Sequence, residues 1–163
     1  MDKKKKVLLI YGVYSLLLFS VKWFADLYDS HSAFCITYFY WNYLHMTQIL
    51  LVEDNDFVRM QIHRFLTGDG YDVVEAPDGL TALNLVSDDI QLAIVDIRME
   101  PVDGMEFVKS LRAKNNQTPV IFVTGDQSPD LLSEASQLGV KATLMKPVEK
   151  ERLLKMVARS IRK

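Results

Sequence analysis

The sequence predicts an α/β fold, in which a parallel sheet is covered by helices, behind an apolar N-terminal extension. From residue 46 onward, short apolar runs rich in β-branched residues alternate five times with longer segments of helical period. Turn residues and helix caps separate these segments. In addition, 12 of the 17 aromatic residues lie in positions 1–45, so the chain changes character near residue 46. We therefore predict two regions, 1–45 and 46–163.

Each predicted element follows from a local pattern. Strands are predicted in the short apolar runs at 48–52, 72–75, 92–95, 120–123 and 142–145. Helices are predicted in the periodic segments at 56–67, 78–87, 105–114, 129–138 and 149–161. Asp78 can cap the second helix, while Gly68 and Gly139 end the first and the fourth. Five consecutive β–α units result.

Composition excludes several functions for the second region. Residues 46–163 carry 14 Lys or Arg and 18 Asp or Glu, a formal charge of −4. This acidic balance argues against direct binding of nucleic acid, which requires a basic surface. The single cysteine, Cys35, excludes an intramolecular disulfide and a cysteine-based zinc site.

Polar residues of a few chemical types follow four of the five predicted strands. They are Glu53, Asp54, Asp96, Thr124 and Lys146. The carboxyl ends of parallel strands meet at one edge of a sheet, so these side chains share a cleft. Clustered carboxylates suit Mg²⁺, and a hydroxyl with an ammonium group can donate to phosphoryl oxygens. Alone, each residue is more often an ordinary loop residue; together they indicate a phosphoryl-accepting carboxylate beside a metal.

The segments that carry these residues resemble the receiver domain of bacterial two-component response regulators. The matching segments are ILLVED at 49–54, VDIRM at 95–99, DG at 103–104, VTG at 123–125 and KP at 146–147. The resemblance covers essentially all of 46–163. It implies a flavodoxin-like, doubly wound sheet with strand order 2-1-3-4-5.

The resemblance also implies a magnesium site. Asp54 and Asp96 are expected to bind Mg²⁺ directly, and Arg98 to contribute its backbone carbonyl. Glu53 is expected to act mainly through a metal-bound water. No other cofactor is expected.

The same resemblance implies that Asp96 is the phosphoacceptor. The donor would be a phosphohistidine on a sensor histidine kinase or a phosphotransfer protein. Lys146 is expected to pair with Asp96 and then with the phosphoryl group, and Thr124 to hydrogen-bond a phosphoryl oxygen. The bond between Lys146 and Pro147 is expected to be cis.

Some positions depart from the family pattern. Thr143 stands where the family usually has an aromatic residue, which puts the usual coupling between Thr124 and that ring in doubt. A proline usually comes first where this chain has Glu100 and then Pro101, so the loop after Asp96 is expected to follow a different path. Arg98 and Asp126 flank the expected phosphoryl position and can form an ion pair over it.

The expected role is that of a single-domain response regulator and not of an enzyme, beyond catalysing its own phosphorylation and dephosphorylation. Because little chain follows the fifth helix, output is expected through binding an unknown downstream protein. A phosphate relay or sink is the alternative. A phosphoaspartyl hydrolase would need an aspartate where Arg98 stands, and the complete set of site residues argues against a silent acceptor.

The N-terminal region allows three interpretations: a membrane segment, upstream sequence translated from a start assigned too early, or an amphipathic or aromatic docking segment for a membrane sensor. Residues 7–21 carry no charge and follow four lysines at positions 3–6, a pattern that favours a membrane segment of marginal length. Alternatively, Met46 is the true start, because compact receivers begin just before their first strand. We expect a cytoplasmic protein, or one on the cytoplasmic face of the inner membrane if residues 1–45 are an anchor.

Overall fold

A computed structural model describes residues 46–126 and 128–161; the predictions for residues 1–45 lie outside the described residues. Strands and helices alternate along the described chain. The strands are β1 Gln48–Val52, β2 Asp72–Ala76, β3 Ile90–Asp96, β4 Val120–Thr124 and β5 Ala142–Met145. The helices are α1 Asp56–Thr67, α2 Gly79–Leu85, α3 Gly104–Ala113, α4 Pro129–Gln137 and α5 Lys150–Ile161.

The five strands form one parallel sheet of order β2-β1-β3-β4-β5, as predicted. In the centre, β1 is buried from Ile49 to Val52, and β3 is buried at every position except Gln91. Strand β2 lies at one edge and is only partly covered. In this order the carboxyl ends of β1, β3, β4 and β5 lie side by side. We call this end of the sheet the carboxyl edge.

Two apolar cores lie on opposite faces of the sheet because successive strand residues point to opposite sides. Ile49 and Leu51 pack with residues of α1 and α5, whereas Leu50 and Val52 pack with residues of α2, α3 and α4. Each core forms one continuous cluster, so the sheet is covered on both faces. Among the described residues, no helix has both the length and the apolar character needed to cross a membrane.

Strand β3 is longer than predicted. It begins at Ile90, two residues before the predicted start, and Ile90 is buried. The register with β1 shifts here, since Gln48 pairs with Ile90 and the next residue, Ile49, pairs with Leu92. The exposed Gln91 is the extra residue of this irregularity, and it interrupts the apolar run that marks the strand in the sequence.

Helix α2 is shorter than predicted at its C-terminal end. The predicted cap is correct, because the Asp78 carboxylate accepts a hydrogen bond from the Thr81 amide at 2.7 Å. The helix ends at Leu85 because Val86 has an extended backbone (φ −60°, ψ 124°). The following Ser87 carbonyl accepts a hydrogen bond from the Ile90 amide at 3.3 Å, which turns the chain into β3.

Candidate functional site

Three polar side chains are buried in the described part of the chain, and all three lie at the carboxyl edge of the sheet. Glu53 directly follows β1, Asp96 ends β3 and Thr124 ends β4; their exposed fractions are 1%, 4% and 0%. Burying carboxylates without compensation is costly. A cluster of this kind at the edge predicted for the site therefore requires a counter-charge.

Lys146 supplies this counter-charge from the end of β5. Its Nζ donates hydrogen bonds to Asp96 Oδ2 at 2.8 Å and to Glu53 Oε1 at 2.9 Å. Its amide donates to the Thr124 carbonyl at 2.8 Å, which continues the β4–β5 pairing. Burial alone would lower the pKa of Lys146, but the hydrogen bonds to both carboxylates outweigh it and raise that pKa. The Lys146–Pro147 bond is cis, as predicted.

Glu53, Asp54 and Asp96 form a group that can hold a metal ion. Each offers a carboxylate oxygen, and these oxygens lie within 4.8 Å of one another. The Glu53 Oε2 atom is buried, and although Lys146 Nζ is 2.9 Å away, this oxygen has no hydrogen bond from the described residues. Burial raises the pKa of Glu53, and the charge of Asp96 adds to this effect. Hard oxygen donors, one of them a buried oxygen that accepts no hydrogen bond from the described residues, fit Mg²⁺.

The main chain around Asp96 is closely packed. The Asp96 Oδ1 atom accepts a hydrogen bond from the Arg98 amide at 3.3 Å. The amide of Gly104 donates to the Ile97 carbonyl at 3.0 Å, which brings the start of α3 against the end of β3. A Cβ atom on Gly104 would lie only 2.1 Å from the Asp96 carbonyl oxygen. The intervening loop contains a cis bond between Glu100 and Pro101, at the position where the sequence departs from the family pattern.

The predicted ion pair between Arg98 and Asp126 is present. Arg98 Nη2 donates to Asp126 Oδ2 at 2.8 Å, and the Arg98 side chain is exposed. This hydrogen bond is the main reason why the pKa of Asp126 is lowered. The Asp126 amide donates to Thr124 Oγ1 at 3.0 Å, so the pair is tied to the buried hydroxyl.

Thr143 lies on β5, where it pairs in register with Phe122 of β4. Its side chain is partly buried, whereas Phe122 is fully buried. The two strands therefore pack at this position with a small β-branched residue on β5.

Sequence reasoning missed one residue that contacts the site. Arg59 of α1 donates from Nη1 to the Glu53 carbonyl at 2.8 Å. A charged residue in the middle of an amphipathic helix is normally solvated, so the periodicity contains no signal for this contact. The nearby Asn55, which caps α1 by accepting from the amides of Phe57 and Val58, is the type of residue that a helix start favours.

The chain belongs to the response regulator receiver domain family, whose model matches residues 49–158. The fold agrees with this assignment. A crystal structure of the chemotaxis protein CheY4 of Vibrio cholerae has a TM-score of 0.67 and 32% sequence identity, covering 71% of this chain and 98% of that one. The chain thus contains a receiver domain of the kind found in two-component signalling systems.

Particular relatives are regulators and sensors of different lengths. The chain is 35% identical over 118 residues to the CAI-1 autoinducer sensor kinase/phosphatase CqsS of Vibrio cholerae; the match covers 70% of this chain and 17% of that protein. It is 28% identical over 115 residues to the chemotaxis protein CheY of Treponema pallidum, covering 68% and 80%. Two other curated relatives are matched over 31% and 50% of their length.

Proposed function

We propose that this receiver domain accepts a phosphoryl group on the carboxylate of Asp96. The observation that carries the proposal is the buried carboxylate at the end of β3, which Lys146 bonds at 2.8 Å. A lysine beside this acidic cluster balances part of its negative charge and holds the acceptor carboxylate in place for attack. An acidic cluster with hydrogen-bond donors around it is suited to phosphoryl transfer, in which positioning and charge stabilisation dominate.

Mg²⁺ would be held directly by the carboxylates of Asp54 and Asp96 and the backbone carbonyl of Arg98, and by Glu53 mainly through a bound water. When bound, it would neutralise negative charge on the phosphoryl oxygens. The Glu53 Oε2 atom, which accepts no hydrogen bond from the described residues, and the exposed position of Asp54 support this assignment, because Mg²⁺ binds few carboxylates and retains several waters.

The donor would be a phosphohistidine on a sensor histidine kinase or a phosphotransfer protein. A carboxylate oxygen of Asp96 attacks phosphorus while the phosphorus–nitrogen bond breaks, and the electron pair of that bond returns to the histidine nitrogen. The products are an aspartyl phosphate and a free histidine. Lys146 then pairs with a phosphoryl oxygen, and the Thr124 hydroxyl donates to another.

The phosphorylated domain would act by binding a downstream protein in the cytoplasm. The proposed chemistry changes only charge and hydrogen bonding at the carboxyl edge, and a binding partner can recognise such a change. Phosphorylation adds negative charge beside Thr124 and Asp126, whose side chains connect the site to the start of α4. The change would thus reach the surface through α4.

Acetyl phosphate and Mg²⁺ with intact-mass measurement test the proposal on the full chain. The wild-type protein should gain the mass of one phosphoryl group, and Asp96→Asn should gain none. Asp130→Asn, which removes an exposed carboxylate on α4, is the matched control and should behave like the wild type. No gain in the wild type, or an equal gain in Asp96→Asn, would contradict the proposal.

A further inference from the structure

We propose that Arg59 is a positioning residue that fixes the acidic turn after β1 for magnesium binding. The proposal rests on the proposed function, since it concerns the same site. Arg59 contacts none of the carboxylates of the metal-binding group; it acts on the main chain that carries two of them.

The contact joins α1 to the peptide between two proposed metal ligands. Arg59 Nη1 donates to the Glu53 carbonyl at 2.8 Å, and the side chain is only 19% exposed. This carbonyl belongs to the peptide that links Glu53 to Asp54. Holding it therefore sets the direction in which the chain leaves β1 and the position from which Asp54 projects.

The rest of the turn is held by neighbouring groups. The Glu53 amide donates to the Ala76 carbonyl of β2 at 3.1 Å. The Asn55 amide lies 3.4 Å from Glu53 Oε1 and donates to it. The bond from Arg59 completes this arrangement, because it binds the carbonyl of Glu53, the remaining main-chain polar group of that residue.

Two carboxylates hold the guanidinium group itself. Arg59 Nη2 donates to Asp56 Oδ1, one turn earlier on α1. Its Nε lies 3.9 Å from Glu75 Oε1 on β2. With its charge partly balanced by these two residues, the guanidinium directs Nη1 at the main chain and forms no hydrogen bond to the carboxylates of the metal-binding group. The planar group with several donors makes arginine suited to this role.

Magnesium binding should be sensitive to this arrangement. Mg²⁺ requires nearly ideal octahedral geometry and short bonds to its ligands, so a turn that moves more freely loses affinity. Removing groups that orient metal ligands typically weakens metal binding by about 10- to 100-fold. We expect a loss at the lower end of this range, because Lys146 still holds Glu53 and Asp96.

The experiment measures the Mg²⁺ dissociation constant of the full chain by isothermal titration calorimetry. Arg59→Met keeps an unbranched side chain but removes every donor, and about tenfold weaker binding is expected. Arg112→Met is the matched control: Arg112 also donates to main-chain carbonyls, those of Asn116, Thr118 and Leu138, but at the opposite edge of the sheet. Its dissociation constant should stay within about twofold of the wild type.

Arg59→Lys keeps the charge and a single donor group, and it should weaken binding by about threefold, between Arg59→Met and the wild type. If Arg59→Met does not fold, as judged by circular dichroism, this variant decides. Unchanged Mg²⁺ affinity in the folded Arg59 variants would overturn the proposal. So would equal weakening by Arg59→Met and Arg112→Met, which would indicate a general loss of stability.

Phosphorylation by acetyl phosphate at saturating Mg²⁺ separates this proposal from the proposed function. Arg59→Met should reach the wild-type extent of phosphorylation once its weaker site is filled. If the wild type is not phosphorylated while Arg59→Met still weakens Mg²⁺ binding, the proposed function fails and the role of Arg59 stands. If phosphorylation is normal and the affinities are equal, the reverse holds.

Discussion

The edge of the sheet where the strands end, the carboxyl edge, and the edge where they begin, the amino edge, carry different kinds of residue. At the carboxyl edge lie the buried polar side chains of the described residues, Glu53, Asp96 and Thr124. At the amino edge lie the described residues with a left-handed backbone, Gly70, Asn115 and Gly139. Each of these three residues stands in the loop between a helix and the next strand.

One basic side chain at each edge, Arg112 and Lys146, illustrates the contrast. Arg112 closes the amino edge by donating to carbonyls of two loops, and its contacts there are all with main chain. At the carboxyl edge, Lys146 bonds side-chain carboxylates instead. The amino edge is thus built for tight turns, which glycine and asparagine make at low cost. At the carboxyl edge, charged groups are buried at a cost in folding stability, and such a cost is typical of functional sites.

Gly104→Ala should have the largest effect, because it introduces an atom where the carboxyl edge has no space. The new Cβ would lie 2.1 Å from the Asp96 carbonyl oxygen, and backbone cannot move aside cheaply. We expect a loss of about 3 kcal/mol in the free energy of unfolding, measured by urea denaturation. Gly125→Ala, at the same edge, meets no atom within 4 Å and should cost far less. Similar losses in both variants would show that the contact is not tight.

Glu53→Gln tests whether the buried charge itself destabilises the carboxyl edge. Burial raises the pKa of Glu53 above its ordinary value of 4.5, so the folded chain binds this proton more tightly than the unfolded chain does. Ionised Glu53 therefore lowers stability as the pH rises from 4.5 through the raised pKa. Without Mg²⁺, the variant should be more stable than the wild type by about 1 kcal/mol at pH 7.

Thermal unfolding in EDTA at several pH values measures this difference. The advantage of Glu53→Gln should shrink as the pH falls towards 4.5, because the wild-type carboxyl becomes protonated. Added Mg²⁺ should favour the wild type, since a ligand stabilises the state that binds it. A stability difference that does not change with pH would contradict the assignment of the cost to the Glu53 charge.

Arg98→Ala should have the smallest effect, because its ion pair lies at the exposed rim of the carboxyl edge. We expect the pair with Asp126 to shield the aspartyl phosphate from water. An exposed pair contributes at most about 1 kcal/mol, so the phosphorylated state should decay about two- to fivefold faster. Lys109→Ala removes a comparable exposed pair, with Glu134 at 2.6 Å, and should leave the half-life unchanged. An unchanged half-life in Arg98→Ala would contradict the shielding.

Much of this contrast could be predicted from the sequence. The strand order, the bounds of β1, β5 and α1, and the Lys146–Pro147 cis bond agree with expectation. Short apolar runs mark strands that are buried on both faces, and the site residues follow them directly. The assignment of roles to these residues, and the boundary near residue 46, stay predictions.

The remaining features depend on tertiary contacts. The start of β3 cannot be recognised in the sequence because the exposed Gln91 interrupts its apolar run, and the early end of α2 depends on the extended backbone of Val86. Arg59 is the clearest case, since only the folded chain brings it to the Glu53 carbonyl. Local patterns report which face of an element is buried, but they do not report which polar groups a long side chain reaches.

The bonds made by Lys146 have a consequence for how the protein is made. This lysine lies 93 positions after Glu53 and 50 positions after Asp96. Because a chain is synthesised from its N-terminus, the acidic residues leave the ribosome well before the cation that balances them. A partly synthesised chain therefore lacks the complete site until Lys146 has been added.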